Sequence, residues 1–263
     1  MTRILSALLL IPLVLGVVWF LPPVATLVLA AVASVLAFIE YAAIAAALGA
    51  QMPRLPVGAA VVAACVAVGS GALPLDAVLL LAVLIVGAVS VLTSIPGPGV
   101  LPGAGAAALA VLYLGVPLGA IAAIRTLGGR EAVLLLVVTI IVSDSAQYYT
   151  GRAFGKSPLA SAISPKKTRE GAIGGVVFGS LAMLAGAILI FPAAHPAVLA
   201  LMAILVVCLG IIGDLFESLL KRSAGVKDSS GLIPGHGGVL DRIDSWLFAG
   251  PMFYLFVRYL QGA

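Results

Sequence analysis

The chain has 263 residues, of which 63% are apolar and 9% are charged, with a formal net charge of +4. Soluble domains are typically about 45–50% apolar and about 25% charged, so this composition excludes a water-soluble globule, and the mean hydropathy of +1.27 agrees. The abundance of apolar side chains also excludes intrinsic disorder. Long apolar runs without a period of two argue against a transmembrane β-barrel. The sequence therefore predicts an all-α, polytopic integral membrane protein.

Apolar runs separated by prolines, glycines and charges predict nine transmembrane helices, since about 20 residues cross the hydrocarbon core. They cover approximately Arg3–Phe20, Val24–Leu48, Val57–Gly71, Leu75–Ile95, Leu101–Ile124, Glu131–Thr150, Ala172–Phe191, Ala197–Leu220 and Ser245–Leu260. The third run is short and also fits a re-entrant or tilted segment. Eleven of the fourteen basic residues fall on the side of the N-terminus, which predicts a cytoplasmic N-terminus.

Charge is distributed unevenly along the chain. Fifteen of the 24 charged residues lie in two windows, 151–170 and 214–244. Residues 1–130 are therefore interpreted as membrane scaffold, and residues 131–263 as a catalytic membrane region with cytoplasmic loops 151–171 and 221–245. No basic patch is interleaved with aromatic residues as in a base-stacking surface, so no nucleic-acid partner is expected.

Four acidic residues fall inside or at the end of predicted spans, where charges are costly and usually functional. Asp144 lies within the sixth span, and Asp214 and Glu217 lie near the end of the eighth. The alternatives are a structural hydrogen bond for Asp144 and a salt-bridged helix end for Asp214, Glu217 and Lys221. Glu40, late in the second span, is interpreted as structural because it is close to the membrane interface.

The first charged loop carries Lys166, Lys167 and Arg169 just before a helix predicted to begin near Ala172. Backbone N–H groups at a helix start, together with nearby cations, form a natural phosphate cradle. The alternative is a basic anchor for anionic lipid head groups.

The second charged segment, 218–244, places Asp241 and Asp244 three residues apart before the last span. Together with Asp214 they could converge at the cytoplasmic membrane face, and oxygen-only ligands suit Mg²⁺, which takes one or two carboxylates plus substrate phosphates. The alternative for the Asp241 and Asp244 pair is complementarity to a helix N-terminus. His236, between glycines, is interpreted as a hydrogen-bond donor to phosphate or backbone. An acidic cluster ringed by cations indicates phosphoryl or nucleotidyl transfer to a membrane-embedded substrate.

This segment closely resembles the signature of the phosphatidate cytidylyltransferases, also called CDP-diacylglycerol synthases. The matching residues are Ser218-x-Leu220-Lys221-Arg222, Lys227-Asp228-x-Ser230 and Ile233-Pro234-x-His236-Gly237-Gly238-Val239-x-Asp241-Arg242-Ile243-Asp244. The run Ser164-Pro165-Lys166-Lys167-Thr168-x-Glu170-Gly171 resembles a second landmark of the family. The chain has Asp144-Ser145-Ala146-Gln147-Tyr148 where family members often have Asp-Thr-Gly-Ala-Tyr, and it has Arg169 where they often have an aromatic residue.

The resemblance implies that CTP and phosphatidate react to give CDP-diacylglycerol and pyrophosphate for phospholipid synthesis. It implies a bacterial-type inner membrane location, a cytoplasmic active site, a Mg²⁺ cofactor with room for a second cation, and a homodimer. The implied catalytic residues are Asp214, Asp241, Asp244, Lys221 and Arg222, with the three aspartates holding the metal. The implied substrate-binding residues are Asp144, Lys166, Lys167, Lys227 and His236.

Three other functions compete with this interpretation. A transporter or flippase would also carry charges within its bundle, but the chain lacks an inverted repeat. A polyprenol or dolichol kinase of related architecture is the nearest enzymatic alternative. A CDP-alcohol phosphotransferase would carry the motif Asp-Gly-x2-Ala-Arg-x8-Gly-x3-Asp-x3-Asp, which is missing.

Overall fold

The structure is a computed structural model that describes residues 12–262, and that part of the chain is predominantly helical. Residues 12–20 are helical. The helices that follow are α1 (Pro23–Ala47), α2 (Arg54–Ser70), α3 (Leu75–Thr93), α4 (Val100–Ala110), α5 (Val116–Leu127), α6 (Gly129–Phe154), α7 (Arg169–Ile190), α8 (Pro196–Ser223) and α9 (Leu240–Gly262). A π-helical turn, Val111–Gly115, joins α4 to α5. Among the described residues, six helical segments are long and apolar enough to cross a membrane, which confirms the all-α membrane architecture.

The helix bounds agree with the predicted spans within a few residues for most of the chain. Helix α2, which corresponds to the third predicted span, has only 17 residues and is short, as expected. The largest difference is at the last span, since α9 begins at Leu240 and not near Ser245. The first predicted span, Arg3–Phe20, falls largely outside the described residues.

The chain forms two compact units. The first unit contains residues up to 123 together with 220–243, and the second contains 124–219 together with the residues from 244 onward. Helices α8 and α9 therefore each contribute residues to both units. The predicted division near residue 130 rests on charge distribution and stays a prediction.

The first unit is held together by close packing of small residues in α2 and in the helix spanning 100–127. A Cβ added at Gly115 would lie 2.5 Å from the Val61 carbonyl oxygen, and one at Gly119 would clash with the Cys65 carbonyl oxygen. The Tyr41 hydroxyl on α1 donates a hydrogen bond to the Ala106 carbonyl at 3.1 Å. These backbone approaches need glycine, since a larger side chain would separate the helices.

The second unit is built on the pair α6 and α7, whose axes approach through glycines. A Cβ at Gly171 would lie 2.7 Å from the Gln147 carbonyl oxygen, and one at Gly179 would lie 2.9 Å from the Ser143 Cβ. Such small residues let helices pack closely where apolar solvation supplies little driving force for association. The fixed register between α6 and α7 sets the position of the loop that connects them.

That loop contains a short antiparallel hairpin that the sequence analysis did not predict. Strand β1 (Pro158–Ala160) pairs with β2 (Ser164–Thr168). Thr168 then caps α7, because its hydroxyl accepts a hydrogen bond from the Gly171 N–H at 3.1 Å. The Glu170 carboxylate accepts hydrogen bonds from the N–H groups of Lys156 at 3.1 Å and Ser157 at 3.2 Å. These contacts hold β2, and with it the basic pair at 166–167, against the start of α7.

Candidate active site

The connection between α8 and α9, residues 224–239, belongs to the first unit and contains most of the signature found in the sequence. It turns through Gly235 and Gly237, whose φ angles of 78° and 80° lie in the left-handed region that glycine adopts without strain. The Ile233 N–H donates to the Gly237 carbonyl at 2.8 Å. This tight turn brings the chain back into α9 immediately before Asp241.

Asp241 forms a buried ion pair with Lys221. The side chains are only 5% and 9% exposed, respectively. The Asp241 Oδ2 also accepts hydrogen bonds from the Ser229 N–H at 2.9 Å, the Ser229 hydroxyl at 2.8 Å and the Gly238 N–H at 2.7 Å. Burial acts to raise the pKa of Asp241, but Lys221 and these donors outweigh it and lower the pKa to about 2. The carboxylate is therefore ionised at neutral pH.

The other predicted functional residues of this unit lie around the same connection. Arg222 is exposed, and its Nη1 donates to the Val226 carbonyl at 2.9 Å. Lys227 is exposed and His236 is half-buried. The His236 backbone N–H donates to the Ile233 carbonyl at 2.9 Å, which fixes the backbone of the turn at this position. Their predicted roles with substrate phosphates stay predictions.

Glu40, which the sequence predicts to be structural, contacts the connection between α8 and α9. It lies late in α1 and is 4% exposed. Its carboxylate accepts hydrogen bonds from the hydroxyls of Ser229 and Ser230 and from the N–H groups of Val239 and Leu240. The available signal was a lone acidic residue within a long apolar span, a pattern that by itself indicates a specific partner.

In the second unit, Lys167 at the end of β2 forms an ion pair with Asp214 on α8. The two side chains are 23% and 26% exposed, so water reaches the pair. The Ser218 hydroxyl, one turn further along α8, lies 3.5 Å from the Asp214 Oδ1. Lys167 of the run 164–171 is thus in direct contact with Asp214, four residues before the signature that begins at Ser218.

Asp144 on α6 interacts electrostatically with both Asp214 and Lys167. Its Oδ1 accepts a hydrogen bond from the Gln147 Nε2 at 3.1 Å. Asp144 also lines a cavity of about 10 Å³ with polar neighbours that include Thr139, Ser143 and Ser245. Asp144 thus belongs to a cluster of two carboxylates and a lysine, and Gln147, where the chain departs from the related family, supports it directly.

Lys166 and Asp244 complete the set of predicted residues. Lys166 precedes Lys167 on β2 and is exposed, as expected for neighbours that point to opposite sides of a strand. The Asp244 Oδ1 accepts a hydrogen bond from the Ser245 N–H at 2.6 Å. Its backbone lies close to α8, since a Cβ at Gly213 would lie 2.6 Å from the Asp244 carbonyl oxygen.

The donor set can be compared with what a divalent cation requires. Within the described residues, no three His, Cys, Asp or Glu side chains are grouped closely enough to hold a metal by themselves. Mg²⁺ commonly uses one or two carboxylates and completes its shell with water and substrate phosphates, and the partly exposed Asp214 with nearby Asp144 fits that pattern. Lys167 pairs with Asp214 and Lys221 pairs with Asp241, so each lysine would compete with a cation at its partner carboxylate. The joint role of Asp214, Asp241 and Asp244 in metal binding stays a prediction.

Curated proteins similar to this chain include several phosphatidate cytidylyltransferases. The chain is 47% identical over 131 residues to phosphatidate cytidylyltransferase 5, chloroplastic, of Arabidopsis thaliana, covering 49% of this chain and 32% of that protein. It is 38% identical over 162 residues to the phosphatidate cytidylyltransferase of Helicobacter pylori strain J99, covering 59% and 58%. It is 46% identical over 132 residues to the corresponding protein of Haemophilus influenzae, covering 47% and 45%.

These alignments cover between a third and three fifths of the length of the curated relatives. A family model described as the cytidylyltransferase family extends further and matches residues 1–260. Since this match covers nearly the whole chain, both landmarks and the apolar half that precedes them are included. The chain belongs to the cytidylyltransferase family.

Proposed function

We propose that this chain transfers the cytidylyl group of CTP to phosphatidate, giving CDP-diacylglycerol and pyrophosphate for phospholipid synthesis. The observation that carries the proposal is the pair of buried or half-buried Lys–Asp contacts, Lys221–Asp241 and Lys167–Asp214, within a family of cytidylyltransferases. Fixed cations beside carboxylates suit a reaction between two polyanions, because their charges must be neutralised before they can approach.

The reaction needs orientation more than it needs a strong base. A phosphate oxygen of phosphatidate is anionic at neutral pH and attacks the α-phosphorus of CTP. The new oxygen–phosphorus bond forms as the bond from the α-phosphorus to the bridging oxygen breaks, and pyrophosphate carries the electron pair away. The cations proposed to bind the phosphates are Lys166 and Lys167 in the second unit, and Lys221, Arg222 and Lys227 in the first. Correct alignment of two bound reactants is worth up to about 7–11 kcal/mol in favourable cases.

Mg²⁺ belongs to the same proposal. Asp214, with Asp144 beside it, would hold the ion together with substrate phosphates. When bound, the ion neutralises charge on the triphosphate and polarises the reacting phosphorus. We further propose that the enzyme lies in a bacterial-type inner membrane with its active site facing the cytoplasm, and that a second cation and homodimeric assembly accompany it.

Nucleotide transfer by the purified protein tests this proposal. The protein in mixed micelles is given radiolabelled CTP and phosphatidate, with and without Mg²⁺, and ATP replaces CTP as the control. We expect a CDP-lipid to form from CTP only and only with Mg²⁺. A phosphorylated lipid formed from either nucleotide would contradict the proposal and indicate the related kinase activity. A folded protein that forms no product would exclude both activities.

A matched pair of lysine variants tests the second unit within the same assay. Lys167→Met removes the cation beside Asp214, and we expect kcat/KM for CTP to fall by about 10²-fold, the scale of a lost electrostatic contact in a reacting site. Lys156→Met removes an exposed cation from the same loop, and we expect a change of no more than about twofold. Equal losses in the two variants would mean that only the overall loop charge matters.

A further inference from the structure

Glu40 joins the first half of the chain to the charged connection before α9. Its Oε1 accepts hydrogen bonds from the Ser230 hydroxyl at 2.6 Å and the Val239 N–H at 2.9 Å. Its Oε2 accepts hydrogen bonds from the Ser229 hydroxyl at 2.9 Å and the Leu240 N–H at 2.8 Å. Four donors separated from Glu40 by about 190 to 200 residues in the sequence therefore converge on one carboxylate.

The four donors are uncharged, and the carboxylate is almost completely buried. A buried carboxylate is tolerated when several hydrogen bonds replace its hydration. Two of the donors are backbone N–H groups at the start of α9, where a negative charge is also favoured by the helix dipole. Glu40, from another helix, thus accepts hydrogen bonds from two backbone N–H groups at the start of α9.

The Ser229 hydroxyl links Glu40 to the Lys221–Asp241 ion pair. The Ser229 hydroxyl lies within hydrogen-bond distance of both Glu40 and Asp241. Gly238 contacts both acidic residues. Its N–H donates to Asp241, and a Cβ at Gly238 would clash with the Ser229 hydroxyl and with both carboxylate oxygens of Glu40. The backbone from 229 to 241 is therefore held on one side by Glu40 and on the other by Asp241.

We propose that Glu40 is a positioning residue that fixes the 229–241 segment so that Asp241 and Lys221 are held in their reactive arrangement. This inference rests on the proposed function. Glu40 acts through the segment and makes no contact with the reacting groups in this account. Its loss should therefore lower the turnover of correctly folded molecules more than it alters their affinity for CTP.

Glu40→Gln is the direct test, because it preserves size but replaces one acceptor oxygen with an NH₂ group that faces a backbone N–H. We expect kcat per folded molecule to fall by about 10- to 100-fold, as for small displacements of reacting groups, with KM for CTP changing by less than about threefold. Asp76→Asn, an exposed acid in the same unit, is the matched control and should leave both parameters unchanged. A kcat per folded molecule within twofold of the wild type in Glu40→Gln would overturn the proposal, even if the variant unfolds at a lower temperature.

Ser230→Ala provides a second route if Glu40→Gln does not fold. It removes one of the four donors and leaves the other three, so we expect a smaller loss of kcat in the same direction. Where both variants fold, the double variant should lose no more activity than Glu40→Gln alone, since Ser230 acts through Glu40. An unchanged kcat in Ser230→Ala, or additive losses in the double variant, would contradict the shared mechanism.

Hydrogen exchange tests the positioning role of Glu40 independently of whether the protein catalyses the proposed reaction. Peptides covering 229–241 should exchange slowly in the wild type and faster in Glu40→Gln or Ser230→Ala, whether or not a CDP-lipid is formed. A wild type that forms no CDP-lipid but shows this difference would reject the proposed function while the positioning role stands. Exchange in 229–241 that is identical in wild type and variants would reject the positioning role itself.

Discussion

At the scale of single residues, Lys167 and Lys221 each pair with an aspartate that is well separated from it along the chain. Lys221 pairs with Asp241 across 20 residues, and Lys167 pairs with Asp214 across 47. The first pair is nearly buried and the second is partly open to water. Removing one member of a buried pair leaves an uncompensated charge, whereas removing both can be nearly neutral. The two pairs should therefore respond differently to substitution.

The buried pair gives a residue-scale prediction. Asp241→Asn should abolish CDP-lipid formation and also destabilise the folded protein by about 3–5 kcal/mol, because the Lys221 ammonium loses the charge opposite it. The double variant Lys221→Met with Asp241→Asn should recover most of that stability and none of the activity. Thermal unfolding in detergent, measured beside the transfer assay, checks both parts. A double variant that is less stable than Asp241→Asn would show that the ion pair is not the source of the destabilisation.

At the scale of elements, contacts outside the helices determine where they begin and how closely they approach. Helix α9 begins at Leu240, about five residues before the predicted span, because Glu40 accepts hydrogen bonds from the N–H groups of Val239 and Leu240. Helix α7 approaches α6 where glycines replace larger side chains. The hairpin between α6 and α7 then carries Lys167 to Asp214, so this close packing bears on the site.

The contact between α6 and α7 gives an element-scale prediction. Gly171→Ala would place a Cβ 2.7 Å from the Gln147 carbonyl oxygen, and relieving such overpacking by backbone movement costs about 1–3 kcal/mol. We expect a lower unfolding temperature together with reduced transfer activity. Gly87→Ala in α3 is the control, since a Cβ there meets nothing within 4 Å, and alanine favours a helix by about 1 kcal/mol. Equal unfolding temperatures for the two variants would contradict the close approach.

At the scale of the whole molecule, the exposed apolar side chains and the distribution of basic residues are those of a protein that spans a membrane. Large apolar side chains are exposed along α3, including Leu80, Val83 and Leu84, as lipid contact requires. Most basic residues fall on the predicted side of the N-terminus, and the positive-inside rule assigns that side to the cytoplasm. Orientation is therefore a prediction that labelling can test.

Single cysteines in a background without Cys65 and Cys208 provide that test. Ser161→Cys lies in the hairpin turn and Ala193→Cys lies between α7 and α8, and both positions are exposed. A membrane-impermeant maleimide should label the cysteine at 161 only in everted vesicles and the cysteine at 193 only in intact cells. Labelling of both positions from the same side would reject the predicted topology.

The sequence by itself determined the membrane class, the approximate helix bounds and the identity of the charged signature. Helices such as α1 follow from apolar runs long enough to cross a bilayer, since a backbone in hydrocarbon must satisfy its hydrogen bonds within the segment. The cations of 164–171 and the cations and aspartates of 218–244 were identified from their spacing and from the resemblance of these runs to a known family.

Only the tertiary structure decided which of these charges meet. The pairing of Lys167 with Asp214, and of Glu40 with the start of α9, joins positions whose separation in the chain gives no periodic signal. The π-helical turn at 111–115 and the hairpin at 158–168 were likewise not predicted from the sequence. A carboxylate is costly to bury without donors, and the tertiary structure supplies four donors to the buried Glu40 carboxylate.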